Sequence, residues 1–154
     1  MKKSAFLASP LGYLIMTAKM NTKPTTVVVA VGIIQNNHQE IFLCRRHAKQ
    51  HQGDKWEFPG GKVEANESVT TALTRELAEE VGIEVHSSQP FLCLEHDYGD
   101  KKVRLDIYLV SDFSGEAHGR EGQASRWVPI SELHHYDFPA ANGPIVEKLQ
   151  KTQR

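Results

Sequence analysis

The chain has 154 residues, of which 40% are apolar and 24% are charged, and its net charge is −1 with the eight histidines neutral. This length and balance predict one globular domain with a core of its own. Acidic and basic residues are interspersed, so no basic stripe indicates binding to a nucleic-acid polymer. No apolar stretch reaches the length of a membrane span, so we expect no membrane partner.

The two cysteines, Cys44 and Cys93, both lie within apolar stretches. This pattern favours buried free thiols over a disulfide framework. Free thiols are typical of a reducing compartment, so we predict a cytoplasmic location.

The N-terminal segment differs in character from the rest of the chain. Lys2 and Lys3 precede a mildly apolar run that superficially resembles a secretory signal, but Pro10 and Gly12 interrupt it. Met20 is a more natural start. We therefore predict an N-terminal extension over residues 1–22, as a leader or a mis-assigned start, and a single domain over residues 23–152.

Apolar patterning predicts two strands in the first third of the domain. Thr25–Ile34 is almost continuously apolar and should be buried on both faces. A turn over Gln35–Gln39 leads to a partner strand over Glu40–Arg45, and a polar loop then leads to Lys55–Phe58, which is short and aromatic. The following Pro-Gly-Gly tripeptide predicts a tight bend.

A helix is predicted from Glu67 to about Val81, with Asn66 as its cap and Gly82 as its terminator. It carries an apolar stripe formed by Val69, Leu73, Leu77 and Val81. Further on, we predict strands over Phe91–Tyr98, Val103–Val110 and Arg126–Pro129, and a final helix over Pro144–Lys151. This order of elements predicts an α+β sandwich.

Three glutamates, Glu76, Glu79 and Glu80, stand at i, i+3 and i+4 of the predicted helix. This spacing brings their carboxylates to one face, where each like-charge pair costs roughly a few tenths of a kcal/mol. A hard divalent cation such as Mg²⁺ or Mn²⁺ would relieve the repulsion. From spacing alone, a solvated acidic helix face is an equally good interpretation.

The segment around these glutamates matches the Nudix box, Gly-x5-Glu-x7-Arg-Glu-U-x-Glu-Glu-x-Gly-U, at every position. The matching residues are Gly61, Glu67, Arg75, Glu76, Leu77, Glu79, Glu80, Gly82 and Ile83. The chain is thereby identified as a member of the Nudix hydrolases. The resemblance implies an α/β/α sandwich, in which a mixed central sheet lies between the box helix and the C-terminal helix.

The resemblance also implies the catalytic and metal-binding groups. Glu76, Glu79 and Glu80 would bind Mg²⁺, with Mn²⁺ as a possible substitute, and Glu76 would also be the base that activates water. The backbone carbonyl of Gly60 would join them, and Glu121 would bring another carboxylate from a distant loop. On its own Glu121 would be interpreted as surface charge, and we favour a structural ion pair with Glu67 as the role of Arg75.

Blocks outside the box resemble the MutT-type members of the family, from about Thr25 to Lys151. The resemblance implies substrate contacts at Arg46, His51, Glu57, Phe58, Pro59, Gly60, Lys101 and Asn142. Within Asp137–Asn142 the Asn would recognise the purine edge, because an amide both donates and accepts hydrogen bonds. The alternative is that Asn142 caps the last helix. Arg46, His51 and Lys101 have exposed surface positions as alternatives, and Phe58 a core position.

The implied reaction is hydrolysis of 8-oxo-dGTP to 8-oxo-dGMP and pyrophosphate by a monomeric enzyme, which would keep a miscoding nucleotide out of DNA. The nearest rival is a Nudix hydrolase for another nucleotide, such as an ordinary NTP, ADP-ribose or a dinucleoside polyphosphate. A catalytically silent nucleotide-binding module is disfavoured because every carboxylate of the box is present. An acidic helix that binds a protein partner would not explain the glycines or Arg75.

Overall fold

The computed structural model describes residues 25–50 and 53–152. The predicted extension over residues 1–22 and the predicted substrate contact His51 lie outside the described residues. The strands are β1 (Thr25–Ile34), β2 (Glu40–Arg45), β3 (Trp56–Glu57), β4 (Gly60–Lys62), β5 (Glu84–Asp97), β6 (Lys101–Ser114) and β7 (Ser125–Pro129). The α-helices are α1 (Val69–Val81) and α2 (Gly143–Thr152), and 3-10 turns span Ile130–His135 and Ala140–Asn142.

The larger sheet is mixed and has the strand order β4-β1-β6-β5. Its central strands β1 and β6 run parallel, in register from Thr25 opposite Lys101 to Ile34 opposite Val110. The outer strands β4 and β5 are antiparallel to their neighbours. A smaller antiparallel sheet, β3-β2-β7, packs beside the larger one.

The alternating side chains of β1 divide the core between the two helices. Val31 and Ile33 belong to a cluster that includes Ile145 of α2. Ala30 and Ile34 belong to a second cluster that includes Leu73, Leu77 and the rest of the buried stripe of α1. Because successive residues of a strand point to opposite faces, the two helices lie on opposite sides of the larger sheet. The predicted α+β sandwich is therefore confirmed.

Helix α1 differs from its prediction at its start and agrees at its end. The cap is Ser68, whose side-chain oxygen accepts a hydrogen bond from the Thr71 N–H at 3.1 Å. The prediction of Asn66 as the cap was wrong, since Asn66 adopts a left-handed φ of 65° in the loop before the helix. Glu67 consequently lies in that loop. The helix ends at Gly82, as predicted, with φ 72° and an N–H bond to Ala78 O.

The hairpin strands β5 and β6 are each 14 residues long, so the predictions of Phe91–Tyr98 and Val103–Val110 were too short. Strand β5 contains three register shifts, between Val85 and Leu92, and Pro90 lies within it. Each shift breaks the period-two alternation by which a strand is recognised from sequence. The added stretches are also largely exposed and polar.

The surface expectations are met in part. Both cysteines are free, and Cys44 is buried as predicted, but Cys93 is exposed. The prediction of a buried thiol at Cys93 was therefore wrong, because its strand lies at the edge of the sheet.

Across residues 25–50 and 53–152 we find no helix with the length and apolar character needed to cross a membrane.

Candidate active site

The loop before α1 is tied to the helix by one ion pair. Arg75 donates to Glu67 twice, from Nε to Oε2 at 2.7 Å and from Nη2 to Oε1 at 2.9 Å. Its Nη2 also donates to the Lys62 carbonyl at 3.1 Å, and Glu67 accepts the Glu64 N–H at 2.9 Å. This two-point contact fixes the path of the loop from β4 to α1.

The glutamates of α1 do not all face the same way. Glu76 lies over β4, so closely that a Cβ at Gly61 would meet its carboxyl carbon at 2.2 Å. Its Oε2 accepts a hydrogen bond from Arg75 Nη1 at 2.8 Å. Glu79 is 60% exposed and lies 3.6 Å from the same Nη1. Glu76 can therefore pack against β4 only because residue 61 is a glycine, which has no side chain.

Glu80 is half-buried, and other acids surround it. Burial, together with the charges of Glu57, Glu121 and Glu76, raises its pKa to about 8, against a hydrogen bond from the backbone of Gly60 that lowers the pKa. Within the described part of the chain, Glu80 has no ion-pair partner among the lysines, arginines and histidines. A buried carboxylate without a counter-ion is costly unless a cation compensates it.

The chemistry of this cluster fits a hard divalent cation, since all of its side-chain donors are carboxylate oxygens. Among the described residues, however, no three His, Cys, Asp or Glu side chains converge on one point as ready ligands. Arg75 accounts for part of this, since its guanidinium binds Glu76 and approaches Glu79. The side chains of the predicted metal-binding set therefore do not converge on one point. Glu79 and Glu121 are exposed, whereas Glu76 and Glu80 are half-buried beside the Gly60 backbone.

Glu121 reaches the cluster through the loop between β6 and β7. The Arg120 N–H donates to the Glu80 carbonyl at 3.1 Å, and the His118 N–H donates to the Val81 carbonyl at 3.0 Å. These bonds satisfy carbonyl groups at the end of α1, which lack partners within the helix. The loop is therefore anchored at the glutamate-bearing end of α1, and Glu121 is close enough to influence Glu80.

A cavity of about 770 Å³ adjoins the carboxylate cluster. Gly60, Gly61 and Lys62 of β4 form part of its wall, and residues from β1, β5, β6 and the segment before α2 complete it. The predicted substrate-binding residues that line it are Arg46, Glu57, Phe58, Gly60 and Asn142. One cavity thus brings together five of the predicted contacts beside the box glutamates.

Two of these contacts are already paired on the wall of the cavity. Arg46 Nη1 donates to Glu57 Oε1 at 2.6 Å, and each side chain is 27% exposed. Burial raises the pKa of Glu57, while the adjacent Arg46 lowers it. Phe58 is buried and stacks on Phe138, with ring centroids 5.1 Å apart and planes 9° from parallel. Phe58 therefore belongs to the core and lines the cavity at once.

Asn142 is half-buried and lies at the end of a 3-10 turn, directly before α2. Its backbone N–H donates to the Pro139 carbonyl at 2.9 Å. Its side-chain amide makes no hydrogen bond to any other residue in the ranges 25–50 and 53–152. The capping alternative requires such a bond to α2, so Asn142 is left with donors and an acceptor facing the cavity.

The remaining predicted contacts lie outside the lining. Pro59 is buried, and its carbonyl accepts the Gly32 N–H at 2.8 Å, which joins the β4 bend to β1. Lys101 is exposed at the first residue of β6, where its carbonyl accepts the Tyr98 N–H at 2.8 Å. Neither side chain reaches the wall of the cavity in this structure.

The sequence analysis missed the contribution of β5 to the cavity. Leu94, His96 and Tyr98 line it, and Tyr98 is 53% exposed. Their i, i+2, i+4 spacing places them on one face of the strand and was a usable signal. It also assigned no role to Gln123, whose amide contacts both α1 and the Glu121 loop.

Comparison with known proteins supports the same family. The NUDIX domain family model matches residues 30–148. The 8-oxo-dGTP diphosphatase of Escherichia coli K12 is 44% identical over 123 residues, which cover 80% of this chain and 95% of that protein. The CTP pyrophosphohydrolase of Escherichia coli K12 is 34% identical over 121 residues, covering 79% of this chain and 90% of that protein.

Solved structures agree with these sequence relatives. A structure from work on MutT of Aliivibrio salmonicida and Vibrio cholerae superposes with a TM-score of 0.77 at 43% identity, covering 83% of this chain and 99% of that one. The Escherichia coli ORF135 protein has a TM-score of 0.76 at 31% identity, covering 94% of this chain and 96% of that one. With its complete box, its mixed sheet between two helices and these matches, the chain belongs to the NUDIX domain family of hydrolases.

Proposed function

We propose that the protein hydrolyses 8-oxo-dGTP to 8-oxo-dGMP and pyrophosphate with Mg²⁺ as its cofactor, and so removes an oxidised guanine nucleotide from the precursor pool. One observation carries the proposal: Gly61 of β4 lies against the Glu76 carboxylate of α1 and also lines the cavity that Asn142 lines, so the carboxylates adjoin that cavity. The relatives named 8-oxo-dGTP diphosphatase support the choice of nucleotide.

At the acidic end of the cavity, the residues of this chain prepare water for attack. Glu76 removes the proton from the attacking water, a role that contributes about 10²- to 10⁴-fold in other enzymes. Glu79, Glu80, Glu121 and the Gly60 carbonyl complete the proposed metal-binding set. Mg²⁺, when bound there, neutralises phosphate oxygens and stabilises the departing phosphate; Mn²⁺ can substitute for it.

At the other end of the cavity, the residues bind the nucleotide. Asn142 makes a two-point contact with the edge of the oxidised base, because its amide offers both donors and an acceptor. Phe58 presents an aromatic wall, stacked on Phe138, for the base to pack against. Arg46, held by Glu57 at 2.6 Å, lines the cavity and presents positive charge to the phosphates of the nucleotide. Glu57 acts on the substrate through Arg46.

The remaining expectations belong to the same proposal. His51 stays a predicted contact to phosphate or sugar, and Lys101 could reach a substrate only by extending across the mouth of the cavity. Pro59 acts through the shape of the β4 bend. We propose a monomer that works in the cytoplasm, which the free thiols of Cys44 and Cys93 support. The assignment of residues 1–22 as an extension is retained as a prediction.

Oxygen-18 labelling tests the proposed reaction. Water attacks the β-phosphorus, and the nucleoside monophosphate leaves with the bridging oxygen. Hydrolysis in ¹⁸O-water should therefore place the label in pyrophosphate and leave 8-oxo-dGMP unlabelled, as measured by mass spectrometry of both products. Label in 8-oxo-dGMP, or release of orthophosphate, would contradict the proposed bond cleavage.

CTP is the second candidate substrate, because the relative named CTP pyrophosphohydrolase is also similar over most of the chain. A cytosine edge and an oxidised guanine edge both present donor and acceptor groups to an amide. The lower identity of that relative, 34% against 44%, disfavours CTP. Comparison of the two substrates at subsaturating concentration distinguishes them.

A further inference from the structure

The side chain of Gln123 joins three elements of the acidic site. Its Oε1 accepts the Glu121 N–H at 2.9 Å, and its Nε2 donates to the Glu80 carbonyl at 3.2 Å. The same Nε2 lies 3.8 Å from Sγ of the buried Cys44 on β2. One amide thus contacts the loop that carries Glu121, the end of α1 and strand β2 of the smaller sheet.

These contacts require an amide in one orientation. Its oxygen faces a backbone donor and its nitrogen faces a backbone acceptor, so each end of the group has the partner it needs. A carboxylate at this position would keep the acceptor, lose the donors and add charge next to Glu80. An aliphatic side chain would lose every one of these bonds.

The backbone of the loop over residues 119–122 packs closely against the backbone of Gln123. A Cβ at Gly119 would meet the Gln123 carbonyl oxygen at 2.0 Å. Gly122 has a φ of 85°, in the left-handed region that favours glycine, and its N–H donates to the Gly119 carbonyl at 3.0 Å. Glu121 therefore lies in a tight turn whose two ends meet at Gln123.

Glu121 itself has no other anchor. Its side chain makes no hydrogen bond or ion pair within the described ranges, and the residue is exposed. The bond from its N–H to Gln123 and the neighbouring bond from the Arg120 N–H to Glu80 set its distance from the buried carboxylate. Loss of the Gln123 amide removes the bond that holds the Glu121 N–H and one of the two hydrogen bonds to the Glu80 carbonyl. The bonds from the His118 N–H to the Val81 carbonyl and from Arg120 Nη1 to the Ala78 carbonyl remain.

We propose that Gln123 is a positioning residue, whose amide holds the Glu121 turn against the Glu80 end of α1 and thereby completes the metal-binding set. The effect on metal binding rests on the proposed metal-dependent function. The hydrogen bonds of Gln123 are present in the protein without metal. A residue that supports metal ligands in this way typically changes metal affinity by about 10- to 100-fold when it is replaced.

The first test measures the turn without any metal. Amide hydrogen exchange by NMR is compared for the wild type, Gln123→Leu and Gln150→Leu. Gln150 is the matched control, since its Nε2 also donates to a backbone carbonyl, that of Ile130 at 3.1 Å, far from the acidic cluster. We expect the Glu121 N–H to exchange about ten-fold faster only in Gln123→Leu. Unchanged exchange would overturn the proposal, and Gln123→Ala replaces the leucine variant if that variant does not fold.

The second test measures Mn²⁺ dissociation constants by electron paramagnetic resonance for Gln123→Leu, Glu121→Gln and the double variant. Both single changes should weaken binding about ten-fold, and the double variant should bind no more weakly than Glu121→Gln. Wild-type affinity in Gln123→Leu, or effects that multiply in full, would overturn the positioning role. If the wild type binds no Mn²⁺, the proposed cofactor is wrong, and the exchange result still decides whether Gln123 holds the turn.

Discussion

Arg75 and Glu67 form a two-point ion pair, with N–O distances of 2.7 and 2.9 Å, that closes the loop between β4 and α1. The same guanidinium binds Glu76 through Nη1 at 2.8 Å. One arginine therefore joins the loop part of the box, at Glu67, to the proposed catalytic glutamate, Glu76. A lysine could not make both contacts, because its ammonium is a single point charge without the planar fork.

The ion pair predicts how stability depends on pH. The hydrogen bonds from Arg75 and from the Glu64 N–H lower the pKa of Glu67 from 4.5 to about 2. A carboxyl whose pKa is lower in the folded chain stabilises the fold above its unfolded value, and this contribution is lost as the pH falls through the folded value. Glu67→Gln should therefore unfold at lower urea concentration than the wild type at neutral pH.

The difference between the two urea midpoints should shrink as the pH falls from about 4.5 toward 2, the interval between the two pKa values. Urea titrations followed by circular dichroism at stepped pH measure it. A difference that stayed constant over this interval would show that the charge of Glu67 does not stabilise the fold.

Replacement of Glu76 by Gln tests the proposed base. The carboxamide keeps the size of the side chain but cannot take a proton from water, so turnover should fall by about 10²- to 10⁴-fold. Glu147→Gln is the control, because Glu147 is 71% exposed on α2 and pairs with Lys151 of the same helix. Circular dichroism should show both variants folded. Near wild-type turnover in Glu76→Gln would remove Glu76 from this role.

A methyl group at Gly61 tests whether the position of Glu76 matters. A Cβ there would lie 2.2 Å from the Glu76 carboxyl carbon, so Gly61→Ala must displace that carboxylate. We expect turnover to fall by up to about 100-fold, as for a misplacement of roughly 1 Å. Gly143→Ala is the matched control, since its added Cβ would meet none of the described residues within 4 Å apart from its chain neighbours and the backbone of its own helix. Equal turnover in the two variants would contradict the importance of the contact.

Asn142→Ala separates recognition of the base from capping of α2. Loss of a two-point contact should lower the preference for 8-oxo-dGTP over dGTP by roughly 10- to 100-fold, with little change in melting temperature. Loss of a helix cap would instead destabilise the fold by about 1 kcal/mol and leave the preference intact. The kcat/KM ratio for the two nucleotides and the melting temperature together decide between these roles.

The box was predictable because its residues are fixed by contacts within one short segment. Gly61, Glu67 and Arg75 have their partners inside the loop and helix that the motif spans, so spacing carries the information. The helix cap was not predictable on the same grounds. Asn66 and Ser68 are both good capping residues, so the sequence does not distinguish them. Asn66 adopts a left-handed φ, and the helix is capped by Ser68 instead.

The wall of the cavity depended on contacts between distant segments. Leu94, His96 and Tyr98 line it from β5, a strand whose register shifts obscure its alternation in the sequence. Gln123 lies in a polar loop, and nothing in its neighbours indicates that its amide meets Glu80, 43 residues earlier. The glutamate-bearing helix could thus be identified from its pattern, whereas the residues that place Glu121 beside it could not.

The most direct test of the proposed function is a nucleotide panel with purified protein and Mg²⁺, with kcat/KM measured for 8-oxo-dGTP, dGTP, CTP and ADP-ribose at submicromolar substrate. Pyrophosphate and monophosphate release are followed together. The proposal predicts that 8-oxo-dGTP has the highest kcat/KM of the four and that its products form in equal amounts. A higher kcat/KM for any other nucleotide in the panel would contradict the proposed substrate and leave only the family assignment standing.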